Sequence, residues 1–255
     1  VLEGSVAHAP EAAALRVVQA EAAESWSYGR LEAMVRGCGT GLRRLGLQPG
    51  DRVLMRLGNV VEFPVLFLGA IAAGIVPVPT SAALTGPVIT RMAGVIAPAL
   101  FLAGDGVALP DPLPCPVVTA ETVVGWEALP PCDWDMGSPD RLAYAVFTSG
   151  TSGRAQAVGH AHRAIWARGM MHQGWEGLTA HDLLLHAGAF NWTYTLGTGL
   201  MDPWTVGATA LIPAAGVEAG RPARPAPAAA WAVGGRGDGG GSACGLGGGD
   251  GRRGA

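Results

Sequence analysis

The sequence predicts an α/β protein in which doubly wound, mostly parallel sheets are covered by helices. Helical apolar spacing alternates with short, wholly apolar runs between residues 27 and 103. The connections between these segments are short, as they are where helices cross between parallel strands. After an interval rich in Pro, Gly and Asp, the same alternation resumes at Leu142 and continues to Ile212.

The first helix is expected over 27–45, where Tyr28, Leu31, Met34, Val35, Leu42 and Leu45 share a face. Ser27 suits its N-cap, and Gly46 suits the left-handed position past its end. A turn at Gln48-Pro49-Gly50-Asp51 leads to a strand over 52–57. Asn59 is read as the cap of a helix over 60–73, and Ile75–Pro79 as the next strand. Thr85, with Pro87 two residues on, opens a helix to about residue 96, followed by a strand over 99–102. Right-handed crossovers between these strands make a doubly wound layer. Residues 104–140 are expected to be a surface excursion. Beyond it come a strand over 142–147, a Gly/Ser/Thr loop, a helix over 161–175, a strand over 183–186, a helical stretch over 192–200 and a strand over 208–212.

Composition narrows the function classes. Hydrophobic residues make up 49% of the 255 residues, enough for a real core, and the net charge of −3 gives no reason to expect a nucleic-acid partner or an anionic membrane surface. All 17 basic residues are Arg, which reads as GC-rich codon usage. Cys38, Cys115, Cys132 and Cys244 form no CxxC pair and no zinc spacing, so reduced, isolated thiols are expected. The first twenty residues lack a basic start followed by an apolar run, and the expected location is cytoplasmic. The uncharged run Phe63–Pro79 is shorter than the roughly 20 residues of a membrane span and is broken by Gly74, Pro77 and Pro79. A buried helix, a Gly stop and a buried strand account for it better.

The division expected is 1–213 as a partial domain and 214–255 as a tail. Of the 39 residues 217–255, 30 are Gly, Ala, Pro or Arg, so the tail buries too little apolar surface to offset its ordering entropy and is expected to be disordered. Either it is a natural flexible extension, or it is an out-of-frame reading of GC-rich DNA; the abrupt change inside a continuing α/β pattern favours the second.

The segment Tyr144–Val158 carries the chemistry. An apolar strand runs into a loop with two glycines and four hydroxyl residues, Thr148, Ser149, Gly150, Thr151, Ser152 and Gly153. Glycines let the backbone approach a ligand closely, and the exposed N–H groups and hydroxyls can surround an anion. No acidic residue lies in this stretch to repel one. It is neither a Walker A loop nor a GxSxG elbow. His160-Ala-His162 is too divergent in direction to hold a metal, and no other metal site is expected. Asp182 and Asp202 read as solvated or capping residues.

Phe147–Val158, with His162 after it, resembles the phosphate signature TSG[ST][ST]GxPKxV of the adenylate-forming (AMP-dependent synthetase/ligase) superfamily. Thr148 through Gly153 match it fully. Ala155 stands in place of the usual Pro and Gln156 in place of the usual Lys, with Arg154 available as the cation near the phosphates. Trp26–Leu31, Leu45–Val53 and Phe67–Pro79 are similar to further motifs of the same family, in the same order. His186–Gly197 resembles its aromatic segment lining the carboxylate pocket, closest to the acyl-CoA and benzoate-CoA synthetase branches. Phe190, Trp192, Tyr194 and Gly197 are the pocket candidates.

The resemblance implies a partial N-terminal domain of the adenylate-forming fold. It also implies an activity: a carboxylate attacks the α-phosphate of Mg-ATP, and CoA then displaces AMP from the acyl-adenylate. ATP, Mg²⁺ and CoA are the implied cofactors, and a small carboxylic acid is the implied substrate. Thr148–Gly153 would hold the β- and γ-phosphates. The family's adenine segment and catalytic Lys lie beyond Ile212, and the sequence contains no Lys, so no catalytic residue is assigned and the 255-residue chain is expected to be inactive alone. A non-catalytic nucleotide-binding remnant and an adenylation domain loading a carrier protein share these motifs. The expectation is checked by ATP–pyrophosphate exchange with the purified chain, which should stay at background.

Overall fold

The computed structural model describes residues 1–18, 23–148, 155–186 and 188–213. The expected tail, 214–255, lies outside them. Helix α1 (Glu3–His8) leads into an antiparallel pair, β1 (Ala13–Val18) and β2 (Ala23–Ser27), neither of which the apolar spacing had marked. Helix α2 (Tyr28–Arg44) follows at once. The Ser27 hydroxyl accepts from the Arg30 N–H at 3.2 Å, the expected cap, and Gly46 beyond the end has φ +91°.

Then come β3 (Arg52–Arg56), α3 (Glu62–Ala72), β4 (Val76–Pro79), α4 (Gly86–Ile96), β5 (Leu100–Ala103) and β6 (Val117–Thr119). These four strands form an all-parallel sheet in the order β4-β3-β5-β6. Both faces are covered. Val53 and Met55 join the core shared with α2 and α3, while Leu54 between them packs with Ile89 and Ala93 of α4. This is the doubly wound layer expected. The apolar run 63–79 is a buried helix, a turn at Gly74 (φ +73°) and a buried strand. No helix among the described residues is long and apolar enough to cross a membrane.

Residues 104–140 are not the surface excursion expected. They supply β6 and a short helix α5 (Ala120–Val124), then lay Trp126 and Cys132 against α2 as buried residues. The reason lies in α2, whose glycines leave room for close neighbours. A Cβ at Gly37 would meet the Trp126 carbonyl, and one at Gly41 would meet the Trp126 ring. The Arg36 Nε–H donates to the Cys132 carbonyl at 2.9 Å, and the Asp135 N–H donates to the Ala72 carbonyl at 2.8 Å.

The chain continues through β7 (Leu142–Thr148), β8 (Gln156–Ala161), α6 (His162–Ala167), β9 (Leu183–Leu185), α7 (Thr193–Leu196), α8 (Asp202–Val206) and β10 (Thr209–Pro213). Strands β7 and β8 form an antiparallel hairpin, and β7 packs on β4 through Ala145, Val76 and Val78. Strand β8 had no apolar pattern to announce it; its short residues and Gly159 are strand only because β7 pairs with them. Strand β10 returns to lie parallel to β1 with Leu15 opposite Ala210, completing a sheet ordered β2-β1-β10-β9. Four side-chain bonds reinforce this closure: Tyr28 Oη to the Ala208 carbonyl (2.6 Å), Trp204 Nε1 to the Ala14 carbonyl (2.7 Å), Thr209 Oγ1 to the Ala13 carbonyl (2.7 Å) and Ser5 Oγ to the Trp204 carbonyl (2.9 Å).

Helices α2 and α3 touch through small residues. A Cβ on Gly69 would lie 2.7 Å from the Cys38 Cβ and 2.8 Å from the Val35 carbonyl oxygen. Gly69→Ala is therefore expected to lower the free energy of unfolding by about 1–3 kcal/mol in urea titrations, the usual cost of overpacking. Gly125→Ala, where nothing lies within 4 Å, is the control and should change it by less than about 1 kcal/mol.

Candidate functional site

Thr148 at the end of β7 stands opposite Gln156 at the start of β8, and the hydroxyl- and glycine-rich segment connects the two strands in sequence. Both flanking residues are exposed. Ser149, Gly150, Thr151, Ser152, Gly153 and Arg154 lie outside the described residues. Strand β7 of the hairpin is buried along most of its length, while β8 is largely exposed. Tyr144 is 2% exposed, stacks on His160 of β8 at 4.6 Å and meets Phe67 edge-on at 5.4 Å; burial pushes its phenol up to about 12. The His162 backbone N–H donates to the Arg141 carbonyl, and its side chain lines a cavity that His160 does not reach. Burial, with the Arg141 charge adding for His162, holds both imidazoles below the usual value.

The four aromatic-segment candidates separate. Phe190 is 3% exposed and stacks on Phe63 at 5.0 Å, so its ring belongs to the core. Gly197 is buried, and a Cβ there would fall on the Arg168 guanidinium, so its smallness serves that contact. Trp192 and Tyr194 remain open, 65% and 55% exposed, with Tyr194 edge-on to His186 at 5.2 Å. Asn59, expected as a helix cap, does something else. Its amide donates to the Gly188 carbonyl at 3.0 Å, and its Oδ1 accepts from the Phe190 N–H at 3.1 Å, which fixes the turn before the aromatic segment. A cavity of about 280 Å³ opens there, between Asn59, Phe63, Phe190 and the loop 80–83. Fully buried Arg56 holds that loop by donating to the carbonyls of Ser81, Ala82 and Leu84 at 2.9–3.1 Å. A lone Arg in an apolar strand gave no hint of this role.

Residues 2–226 match the family described as AMP-binding enzyme. The chain belongs to that family. Among curated proteins it is 29% identical over 245 residues to a benzoate–CoA ligase of Thauera aromatica, an alignment covering 85% of this chain and 42% of that protein. It is also 29% identical over 210 residues to a 4-hydroxybenzoate–CoA/benzoate–CoA ligase of Rhodopseudomonas palustris, covering 74% and 38%. Among solved structures, a benzoate CoA ligase from Burkholderia xenovorans LB400 superposes with a TM-score of 0.75 at 24% identity, over 84% of this chain and 44% of that one. VinN superposes with a TM-score of 0.76 at 23% identity, over 83% and 55%. These superpositions establish the fold: the N-terminal α/β architecture of adenylate-forming ligases. The chain spans about 42% of the length of its Thauera relative.

Behind the aromatic segment of this family member lies a polar cluster. Where one helix was expected over 161–175, residues 162–176 run as α6, a 3-10 turn (Arg168–Met171) and a π turn (His172–Glu176). Gly169 and Gly174 weaken the regular helix, and contacts to Asp202 set the phase of the turns. Asp202, read from sequence as solvated or capping, is 1% exposed. Arg168 grips both its oxygens, with Nε 2.8 Å from Oδ1, and His172 Nε2 lies 3.2 Å from Oδ1. Its charge is buried because it is paired. His172, Glu176 and Asp202 bring one donor atom each within 4.8 Å of one another. A cation here would compete with Arg168 for the Asp202 carboxylate, which the guanidinium already neutralises. A larger cavity of about 770 Å³, bordered by Leu68, Ile71, Trp134 and Ile165, shares no lining residue with the first. Its rim cations are paired, Arg141 with Asp135 at 3.5 Å and Arg163 with Asp140 at 2.7 Å.

Burial, and then the neighbouring Asp202 charge, hold the Glu176 carboxyl above its ordinary value. The native state thus keeps this proton to higher pH than the unfolded chain does. The group therefore withdraws stability as pH rises through the ordinary carboxylate range to the raised value. Glu176→Gln is expected to melt at a higher temperature than the wild type near pH ~7, with the difference shrinking toward pH ~4 in thermal scans.

Proposed function

We propose that this chain carries the ATP-tail and carboxylate-binding part of an ATP-dependent, AMP-forming acid–CoA ligase acting on an aryl or acyl carboxylate. One observation carries the reading: within a chain matched to the AMP-binding family over residues 2–226, the hexapeptide Thr148–Gly153 begins at the end of β7, a strand packed into the core and paired with β8.

In this reading the amides and hydroxyls of Thr148–Gly153 receive the β- and γ-phosphates, and Arg154 supplies the nearby positive charge. The hairpin offers no carboxylate to hold Mg²⁺, so the ion would enter as part of Mg-ATP and would supply charge neutralisation at the phosphates. A carboxylate oxygen of the substrate attacks the α-phosphorus, and pyrophosphate leaves with the electron pair of the broken P–O bond. The CoA thiolate then attacks the acyl carbon, and AMP leaves. Neither step needs a covalent enzyme intermediate, so positioning and charge neutralisation do the work. Trp192 and Tyr194, open to solvent beside the Asn59-held turn, form the aromatic wall against which a flat carboxylic acid packs. Phe190 supports that wall from the core, and Gly197 admits the cation behind it. The relatives named for benzoate support an aromatic acid as substrate. The catalytic Lys that the resemblance implies is not among these 255 residues.

Isothermal titration of the purified chain with Mg-tripolyphosphate tests the reading. The double variant Thr151→Ala/Ser152→Ala is expected to weaken binding by about tenfold, or ~1.4 kcal/mol. Equal affinity in both proteins would remove the hairpin tip from the proposed site.

A further inference from the structure

The Arg168–Asp202 pair joins two segments that the proposed chemistry must hold in register. One runs from the phosphate-loop hairpin: β8 passes directly into α6, and the next two turns begin with Arg168 and His172. The other begins with Trp192 and Tyr194 and runs through α7 to Asp202 at the start of α8. Arg168 and His172 bridge 162–177 and 190–206: three of their hydrogen bonds reach Asp202, against which Glu176 also lies, and the Arg168 guanidinium also reaches Thr198 Oγ1 at 3.4 Å. Gly197 provides the socket, since any side chain there would expel the guanidinium. Tyr144, on the strand that enters the loop, lies within the field of both charges.

A well-packed apolar pair could hold two segments together without the desolvation that a buried ion pair incurs. What a two-pronged Arg–carboxylate contact adds is one fixed geometry. We infer that Arg168, Asp202 and the Gly197 socket form a positioning device, which sets the Trp192–Tyr194 wall relative to the phosphate-loop hairpin so that binding at one favours binding at the other. Arg168 and Asp202 touch neither ligand; they act through the segments they join. The inference rests on the functional reading above and adds residues that the hairpin and aromatic motifs do not mark.

Linkage between two probes tests it in the full 255-residue chain. The dissociation constant for benzoate is measured by titration calorimetry with and without saturating Mg-tripolyphosphate, and a melting temperature is recorded for each protein. The wild type is expected to bind benzoate at least about fivefold tighter when tripolyphosphate is present, with the same factor in the reverse order of addition. Asp202→Asn and Arg168→Met should bring that factor below about two. Gly197→Ala should do the same with both charges still in the sequence. Arg168→Lys keeps the charge but loses the fork, so it should stay folded and lose most of the linkage; it decides the matter where a harsher variant does not fold.

The outcomes separate the two ideas. A wild type that binds neither probe defeats the functional reading itself. A wild type that binds both without linkage leaves that reading standing and overturns the device. Folded variants that keep the wild-type factor, even at lower melting temperature, reduce the pair to a structural contact and also overturn it.

Discussion

The pairing of β1 with β10 is the constraint on which the rest of the structure depends. It joins residues 15–18 to 210–213, the two ends of the described chain, and each side-chain bond that reinforces it spans at least 180 residues. Such contacts are costly to close and form only when the intervening layers are in place. Once formed, they leave α7 and α8 little freedom. Trp204 is locked to the Ala14 carbonyl inside the core, so the aromatic segment a few residues earlier is held from one side. Arg168 holds it from the other.

The site is built on the same economy of polar groups. Asn59, Arg56 and Asp202 each meet the backbone or another charge, Arg56 through its two terminal nitrogens, and each fixes a segment bordering the open surface: the turn at 188–190, the loop at 81–84 and the start of α8. An unpaired polar group at any of these depths would carry its full desolvation cost. Each contact is therefore both a stabilising bond and a geometric specification. The family's activity, in the reading proposed, asks for little more from this half of the site. Its reactants supply the chemistry, and the protein supplies distances.

Much of this was legible in one dimension. The Ser27 cap, the stop after α2, the buried helix–turn–strand at 62–79 and the order of the parallel layer follow from local rules: a hydroxyl before an apolar periodic run, a glycine able to take positive φ, and a short apolar run between turn signals. The hexapeptide Thr148–Gly153 stands out in one dimension too, as a run of small and hydroxyl residues after a strand. What misled was context. Asn59 precedes a helix and looked like its cap, but the helix starts three residues later and the amide is spent 129 residues away. Residues 104–140 looked peripheral because their apolar residues are sparse. Whether a lone Trp126 is buried depends on the glycines of α2, 85 to 89 residues earlier, and no window across the segment itself contains them.

The sequence by itself determined the family and the alternation of helix and strand, because each rests on residues that are neighbours along the chain. Only the tertiary structure decided which of the aromatic-segment residues face outward, why Gly197 is a glycine and what Asp202 does. Those answers turn on which side chain arrives from another element: Phe63 under Phe190, and the Arg168 guanidinium against Gly197 and Asp202. A carboxylate reads the same in a sequence whether it is solvated or buried; its meaning is set by the charge that meets it.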